Sequence, residues 1–140
     1  MFDKQLAKYS DYSIFLVRIG VGIIFLSHGI GKLLNIGPFA IGTSNFAGFL
    51  NSMGVPIAIV VAWIVTLVET FGGLAILAGF KTRLAALLVS INIGIAIILV
   101  HLKNGLNSAN GGFEFVLLLF LASLAIAFKG AGKKFKLDKE

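Results

Sequence analysis

Cysteine is absent from this chain of 140 residues. That excludes thiol–disulfide chemistry, cysteine-ligated iron–sulfur clusters and c-type haem attachment within it. Any electron transfer would have to use a bound cofactor, a quinone or a partner subunit. Charge is scarce too: Asp, Glu, Lys and Arg make up 13% of the residues, with 6 acids against 12 bases. No soluble-type repeat, low-complexity tract or heptad pattern is present. A phosphate-binding loop is missing as well. Gly29-Ile30-Gly31-Lys32 resembles its end, but Leu26 stands where the first glycine is needed and Leu33 replaces the Ser or Thr after the lysine.

What the chain does have is apolar length. It is 58% hydrophobic with a mean hydropathy of +1.00, far above soluble domains. Four stretches, 14–34, 55–79, 84–102 and 112–128, approach the ~20 residues needed to span a hydrocarbon core of about 30 Å. They leave no room for a soluble domain. The expected fold is an all-α membrane protein, a four-transmembrane-helix antiparallel bundle forming one domain over 1–140. The N-terminus superficially resembles a signal peptide. Its apolar segment is too long, contains Arg18 and lacks a small-residue cleavage site, so it is read as a retained first helix.

The net charge of +6 does not point to nucleic acid, because its distribution follows topology. Nine bases flank one side: Lys4, Lys8, Lys81, Arg83, Lys129, Lys133, Lys134, Lys136 and Lys139. Only Lys32 and Lys103 lie near the other, and Arg18 is inside a span. The positive-inside rule then places both termini in the cytoplasm of a multi-pass cell-membrane protein. The lysine-rich tail is either a topology signal or a contact with anionic headgroups of the lipid bilayer.

Asn35-Ile36-Gly37-Pro38 stops the first span. In the outer loop that follows, Thr43 or Ser44 is placed to cap a short amphipathic helix with Phe46, Phe49, Leu50 and Met53 on one face. That helix is expected to lie flat on the surface or to fold over the bundle as a lid. The tight turn Gly79-Phe80-Lys81-Thr82 makes spans two and three antiparallel neighbours.

Ionisable residues inside such a sequence are costly unless paired or wetted, so they mark function. At 1.5 Å per residue from Ile14, Arg18 lies roughly 6 Å deep, His28 about 21 Å and Lys32 about 27 Å. Glu69, counted inward from the start of span two, falls roughly level with Arg18. Two layers are expected: an intramembrane ion pair of Arg18 with Glu69, and an outer ligand-binding cluster of His28, Lys32, His101 and Glu114. Arg18, Gly22, Phe25, Gly29 and Lys32 recur at helical spacing, and the glycines permit close helix approach or leave room for a ligand. Thr66, Thr70, Ser90 and Asn92 read as interhelical hydrogen bonders.

Quinone binding suits the outer cluster, since histidine, lysine and carboxylate provide hydrogen bonds and protons for a quinone head. Haem held between His28 and His101 is disfavoured because His101 sits close to the water boundary. A metal held by His28, His101 and Glu114 lacks diagnostic spacing, so no metal is assigned.

Several segments together resemble the DoxX family of small integral membrane proteins. They are Arg18 with His28-Gly29-Ile30-Gly31-Lys32, Gly54-Val55-Pro56, Glu69-Thr70-Phe71-Gly72-Gly73, Gly79-Phe80-Lys81-Thr82-Arg83 and Gly112-Phe113-Glu114. The resemblance implies a four-helix membrane protein related to the membrane subunit of a thiosulfate:quinone oxidoreductase. Other members of the family are linked to oxidative, thiol or quinone stress, sometimes in complexes with soluble redox enzymes. It implies a pocket from the matching Arg18, His28, Lys32, Glu69 and Glu114; His101 enters by depth alone. The leading expectation is a membrane component of a quinone-linked redox or detoxification system, without assigned catalytic residues. A non-catalytic scaffold for a redox partner protein and a small transporter, as a homo-oligomer, are the alternatives.

Overall fold

The computed structural model describes residues 2–139, and among these every regular element is helical. A short α1 (Phe2–Ala7) precedes α2 (Ser13–Leu33), and α3 (Thr43–Ser52) lies in the first long loop. Next come α4 (Ala58–Ala78) and α5 (Thr82–Ala96), which runs on through a π-helical turn (Ile97–His101) and a 3-10 turn (Leu102–Asn104). The last helix is α6 (Glu114–Lys129). The long helices pack in a ring, with α4 between α2 and α5, and α6 between α5 and α2.

Ser10–Leu33, Ala58–Ala78 and Thr82–Asn104 are long and apolar enough to cross a membrane. At 16 residues, α6 is about 24 Å long, which is short of that length. Large apolar side chains such as Leu16, Ile23, Ile64 and Leu118 stay more than half exposed around the bundle. In water such a belt would be an aggregation surface; against lipid it is the matching face. The core between the helices is built on Phe25, Ile76, Val89, Leu119 and Ile126.

The stripe Arg18, Gly22, Phe25, Gly29 and Lys32 is buried along its whole length. Its glycines set the α2–α4 register. A Cβ on Gly29 would run into the Thr70 backbone, and one on Gly73 would meet the Leu26 amide. The two backbones therefore touch, which in a membrane replaces the hydrophobic drive that lipid cannot provide. At the end of α4, Gly79 takes φ 66°. Its amide bonds Ile76 O at 3.2 Å while Phe80 N bonds Ala75 O at 3.0 Å. These two bonds form the glycine-terminated Schellman cap, and α5 begins three residues later, antiparallel as expected.

Glycine contacts also correct the expected ion pair of Arg18 with Glu69. With Gly29 against Thr70 and Gly22 against Leu77, Arg18 falls beside the last turn of α4, while Glu69 sits mid-helix. Depth counted from the apolar edge fails because Val55–Ile57 is apolar but not helical, so α4 starts later than its hydropathy suggests.

Arg18 is fully buried and spends its donors on carbonyls instead. Nε donates to Ile76 O at 2.9 Å. One terminal nitrogen reaches Ala131 O at 2.8 Å and Lys134 O at 3.4 Å; the other reaches Leu77 O at 2.9 Å and Phe135 O at 3.1 Å. These carbonyls belong to the end of α4 and to the segment after α6. That segment straps across the bundle: Leu137 N and Asp138 N donate to Gly79 O. The Asp138 carboxylate accepts from Lys81 N at 2.7 Å and Thr82 N at 3.0 Å, capping α5.

The expected helix in the first long loop exists as α3, but neither Thr43 nor Ser44 caps it. Gly42 holds the cap position at φ 73°, and Thr43 Oγ1 donates to Lys32 O at 3.0 Å, tying α3 to the end of α2. Thr66, Thr70 and Ser90 hydroxyls bond mainly within their own helices, to Ala62 O, Thr66 O and Leu87 O. Asn92 does bridge helices, as the next section describes.

Candidate functional site

Lys32 lies in the last turn of α2 and extends back into the bundle. Its Nζ meets Glu69 Oε2 on α4 at 2.5 Å, and the two side chains are 9% and 11% exposed. Asn92 Nδ2 on α5 donates to the other carboxylate oxygen, Glu69 Oε1, at 3.2 Å. Three helices thus contribute an ammonium, a carboxylate and an amide to one buried network. The ring of Phe46, on α3, lies 4.8 Å from the Lys32 ammonium, close enough for cation–π attraction. Taking these charges out of water costs several kcal/mol, yet apolar residues would pack the same space without that cost. The network is therefore more than packing requires.

A cavity of about 460 Å³ opens beside this network. Its wall takes residues from α2, α3, α4, α5 and α6, and its polar members are His28, Lys32, Glu69, Asn92 and His101. The rest of the lining is aliphatic and aromatic, with α3 roofing it through Phe46, Phe49, Leu50 and Met53. The expectation of a lid is met by this roof. The volume lies in the range of small-molecule sites, which pair apolar walls with a few convergent polar groups.

His101 belongs to the π-helical turn of α5, an irregularity frequent at functional sites. Its Nδ1 lies 2.8 Å from Gly111 O. A carbonyl only accepts, so Nδ1 carries the proton and Nε2 is left to act as an acceptor. His28 stacks on Phe39, with ring centroids 3.8 Å apart and 17° between planes. Phe39 comes from the loop 35–42, which is pinned where Ile41 N and Gly42 N both donate to Gly31 O at 3.2 Å.

The structure brings His28, Lys32 and His101 together on one cavity and adds Glu69, which the depth estimate had placed in the other layer. Glu114 is not with them. It is exposed at the start of α6, where Oε1 accepts from Ser108 N at 2.9 Å, and Ser108 Oγ accepts from Phe115 N at 3.3 Å. The loop turns back on itself through Phe113 N to Gly105 O and Glu114 N to Leu106 O. Glu114 thereby ties the loop 105–111 to the start of α6, where the positive end of the helix dipole favours its charge. A two-histidine-one-carboxylate set with Glu114 is not assembled. Among the described residues no three His, Cys, Asp or Glu side chains converge as a metal site. Arg18, at the opposite end of the bundle, takes no part in the cavity wall. Asn92 and the α3 phenylalanines are among the wall residues that sequence reasoning did not assign to the pocket.

The sequence profile of the DoxX family matches residues 13–102, from the start of α2 to the end of the π-helical stretch. The chain belongs to the DoxX family. Every polar residue of the cavity wall falls inside the matched region. Two curated proteins are similar over nearly their whole length. An uncharacterised protein of Haemophilus influenzae is 32% identical over 133 residues, covering 92% of this chain and 91% of that one. A Bacillus subtilis protein named "Putative oxidoreductase CatD" is 32% identical over 124 residues, covering 89% of this chain and 84% of the relative. No solved structure matches the chain significantly. The protein is thus a DoxX-family membrane protein.

Proposed function

We infer that this DoxX-family protein is the membrane component of a quinone-linked redox or quinone-detoxification system, and that the cavity holds the quinone head. The observation that carries this reading is the Lys32–Glu69–Asn92 network, with His28 and His101, on the wall of a mostly apolar cavity. A quinone needs apolar walls for its ring and hydrogen-bond donors for its carbonyl oxygens. Lys32 donates to one oxygen and His28 to the other, His101 Nε2 is placed to accept from a hydroxyl of the quinol, and Glu69 supplies the counter-charge to the Lys32 ammonium. Reduction adds two electrons, taken from a redox partner protein, and two protons, forming the quinol. The imidazole nitrogens of the two histidines can hydrogen-bond to that product. The Bacillus subtilis relative's name points to the same reaction class. Two histidines on one cavity are all that favours haem, so haem is not proposed.

All four long helices cross the bilayer in this reading, with α6 as the shortest span and both termini in the cytoplasm. The excess of lysine and arginine at the end carrying the termini supports that orientation. The cavity then lies toward the outer face.

A tail-less, fully substituted benzoquinone tests the assignment. At a hundred times its Kd, a ligand stabilises its host by about 2.7 kcal/mol, so the purified protein should melt measurably higher in its presence. The Lys32→Met/Glu69→Leu variant should fold and lose the shift. An unchanged shift in that variant contradicts the assignment. Co-purification of a soluble redox enzyme with no quinone-induced shift would favour the scaffold reading instead.

A further inference from the structure

Lys32 and His28 line two cavities. Besides the inner one, a more open cavity of about 360 Å³ lies between the loop 35–42 and α3. Its wall is His28, Lys32, Phe46 and Phe49, all shared with the inner cavity, and Phe39, Ala40 and Ile41, which are not. Phe46 and Phe49 form the partition between the two, their rings stacked 6.3 Å apart. Phe39, stacked on His28, supplies the opposite wall. The outer cavity is thus bounded by four planar rings with one ammonium at its floor.

The partition is built to move without moving the fold. α3 is anchored through Ala47 and Leu50, which are buried with Ala58 and Ala62 of α4. Its start is fixed by Gly42 N and Thr43 Oγ1 on the end of α2. Phe49 is 42% exposed, and Phe46 is only half-buried. An exposed ring such as Phe49 changes rotamer on picosecond to nanosecond scales, so side-chain rotation there opens the passage while the helix stays put.

We propose that the outer cavity is an antechamber: a planar, oxygen-bearing aromatic or quinoid ring stacks there first, then slips past Phe46 and Phe49 into the inner cavity. This rests on the quinone reading of the inner cavity and adds the route and the ligand shape. Stacking on rings selects planarity, and the ammonium at the boundary attracts a ring oxygen in both positions. The ligand therefore never loses its polar partner during transfer. The route admits a ring from the loop end of the bundle, not from between the helices.

The absence of cysteine provides a clean test. Ile41 lines only the outer cavity and is 37% exposed. Ile41→Cys is purified folded, and half of it is coupled to a bulky maleimide. Tetramethyl-1,4-benzoquinone serves as probe, since it has no free ring carbon for thiol addition. Coupling should slow association and dissociation together by about tenfold while Kd stays within about twofold, because an obstructed route changes both rates alike. Unchanged rates in the coupled protein overturn the antechamber and leave the inner site standing. Slower association with a correspondingly weaker Kd also overturns it, since the label then perturbs the site itself. Failure of the uncoupled and wild-type proteins to bind the probe overturns the quinone reading and the antechamber with it.

Discussion

Replacing Glu69 by Gln keeps the shape of the network but removes the carboxylate bonded to Lys32. The ammonium is then buried at 9% exposure with no counter-charge among the described residues. Breaking a buried pair by neutralising one partner costs about 3–5 kcal/mol. The value expected here is about 3, at the low end, because Lys32 also borders the more open outer cavity and faces the Phe46 ring. In equilibrium terms that is roughly a 150-fold loss of folded protein. Lys32→Met leaves Glu69 unpaired and should cost a similar amount. Removing both charges, as in Lys32→Met/Glu69→Leu, should return stability to within about 1 kcal/mol of the parent, since a packed apolar pair replaces an ion pair at little cost. Reversible unfolding in mixed micelles, read by circular dichroism, measures all three variants as a double-mutant cycle. Additive losses in the double variant, or a Glu69→Gln cost below about 1 kcal/mol, would refute the claim that the two groups are coupled and desolvated.

Other consequences follow from the same geometry. Arg18→Lys offers three donors where five carbonyls are served; a loss of about 3 kcal/mol is expected from charged hydrogen bonds worth about 1.5–3 each. Hydrogen exchange over 131–138 should accelerate in that variant, and unchanged protection there would contradict the strap. Gly29→Ala forces a methyl into the Thr70 backbone and should destabilise by about 1–3 kcal/mol, while Gly20→Ala, with open space around it, should be near neutral. Burial is the largest single influence on the Asp138 carboxyl and raises its pKa, but hydrogen bonds from Thr82 and Lys81 and the charge of Lys136 together outweigh it and hold the carboxyl below its ordinary value. Its contribution is therefore present above the usual carboxylate range and lost as pH falls through the depressed value. Asp138→Asn should be less stable than the parent at neutral pH, with the gap closing below the usual carboxylate range; a gap that widens in acid would contradict the cap.

Periodicity made the buried face of α2 legible, because Arg18, Gly22, Phe25, Gly29 and Lys32 repeat at helical spacing and nothing in the loops disturbs them. Helix positions were legible within a few residues for the same reason. The partner of Glu69 was not, since hydropathy sees apolar residues and not helix starts, and a shift of three residues moves a side chain by about 4.5 Å. Register came from glycine contacts that only the packed pair reveals. Glu114 was misplaced because a carboxylate at a helix start reads the same whether it turns into a cavity or back onto its loop; Ser108 decides that locally. Asn92 was readable as a polar group in mid-span, but its target depended on the register of α4 against α5. The π-helical turn that carries His101 has no mark in the sequence.

The most direct test of a quinone site walled by Lys32, Glu69 and the two histidines is photoaffinity labelling. A tail-less azidoquinone, irradiated with the membrane-embedded protein and mapped by mass spectrometry, should attach within the inner wall, on the stretches around Phe25–Lys32, Val65–Glu69 and Asn92–Val100. Labelling should vanish with excess unmodified quinone and in Lys32→Met/Glu69→Leu. Label spread over the lipid-facing residues Leu16, Ile64 and Leu118, insensitive to competitor and to that variant, would contradict it.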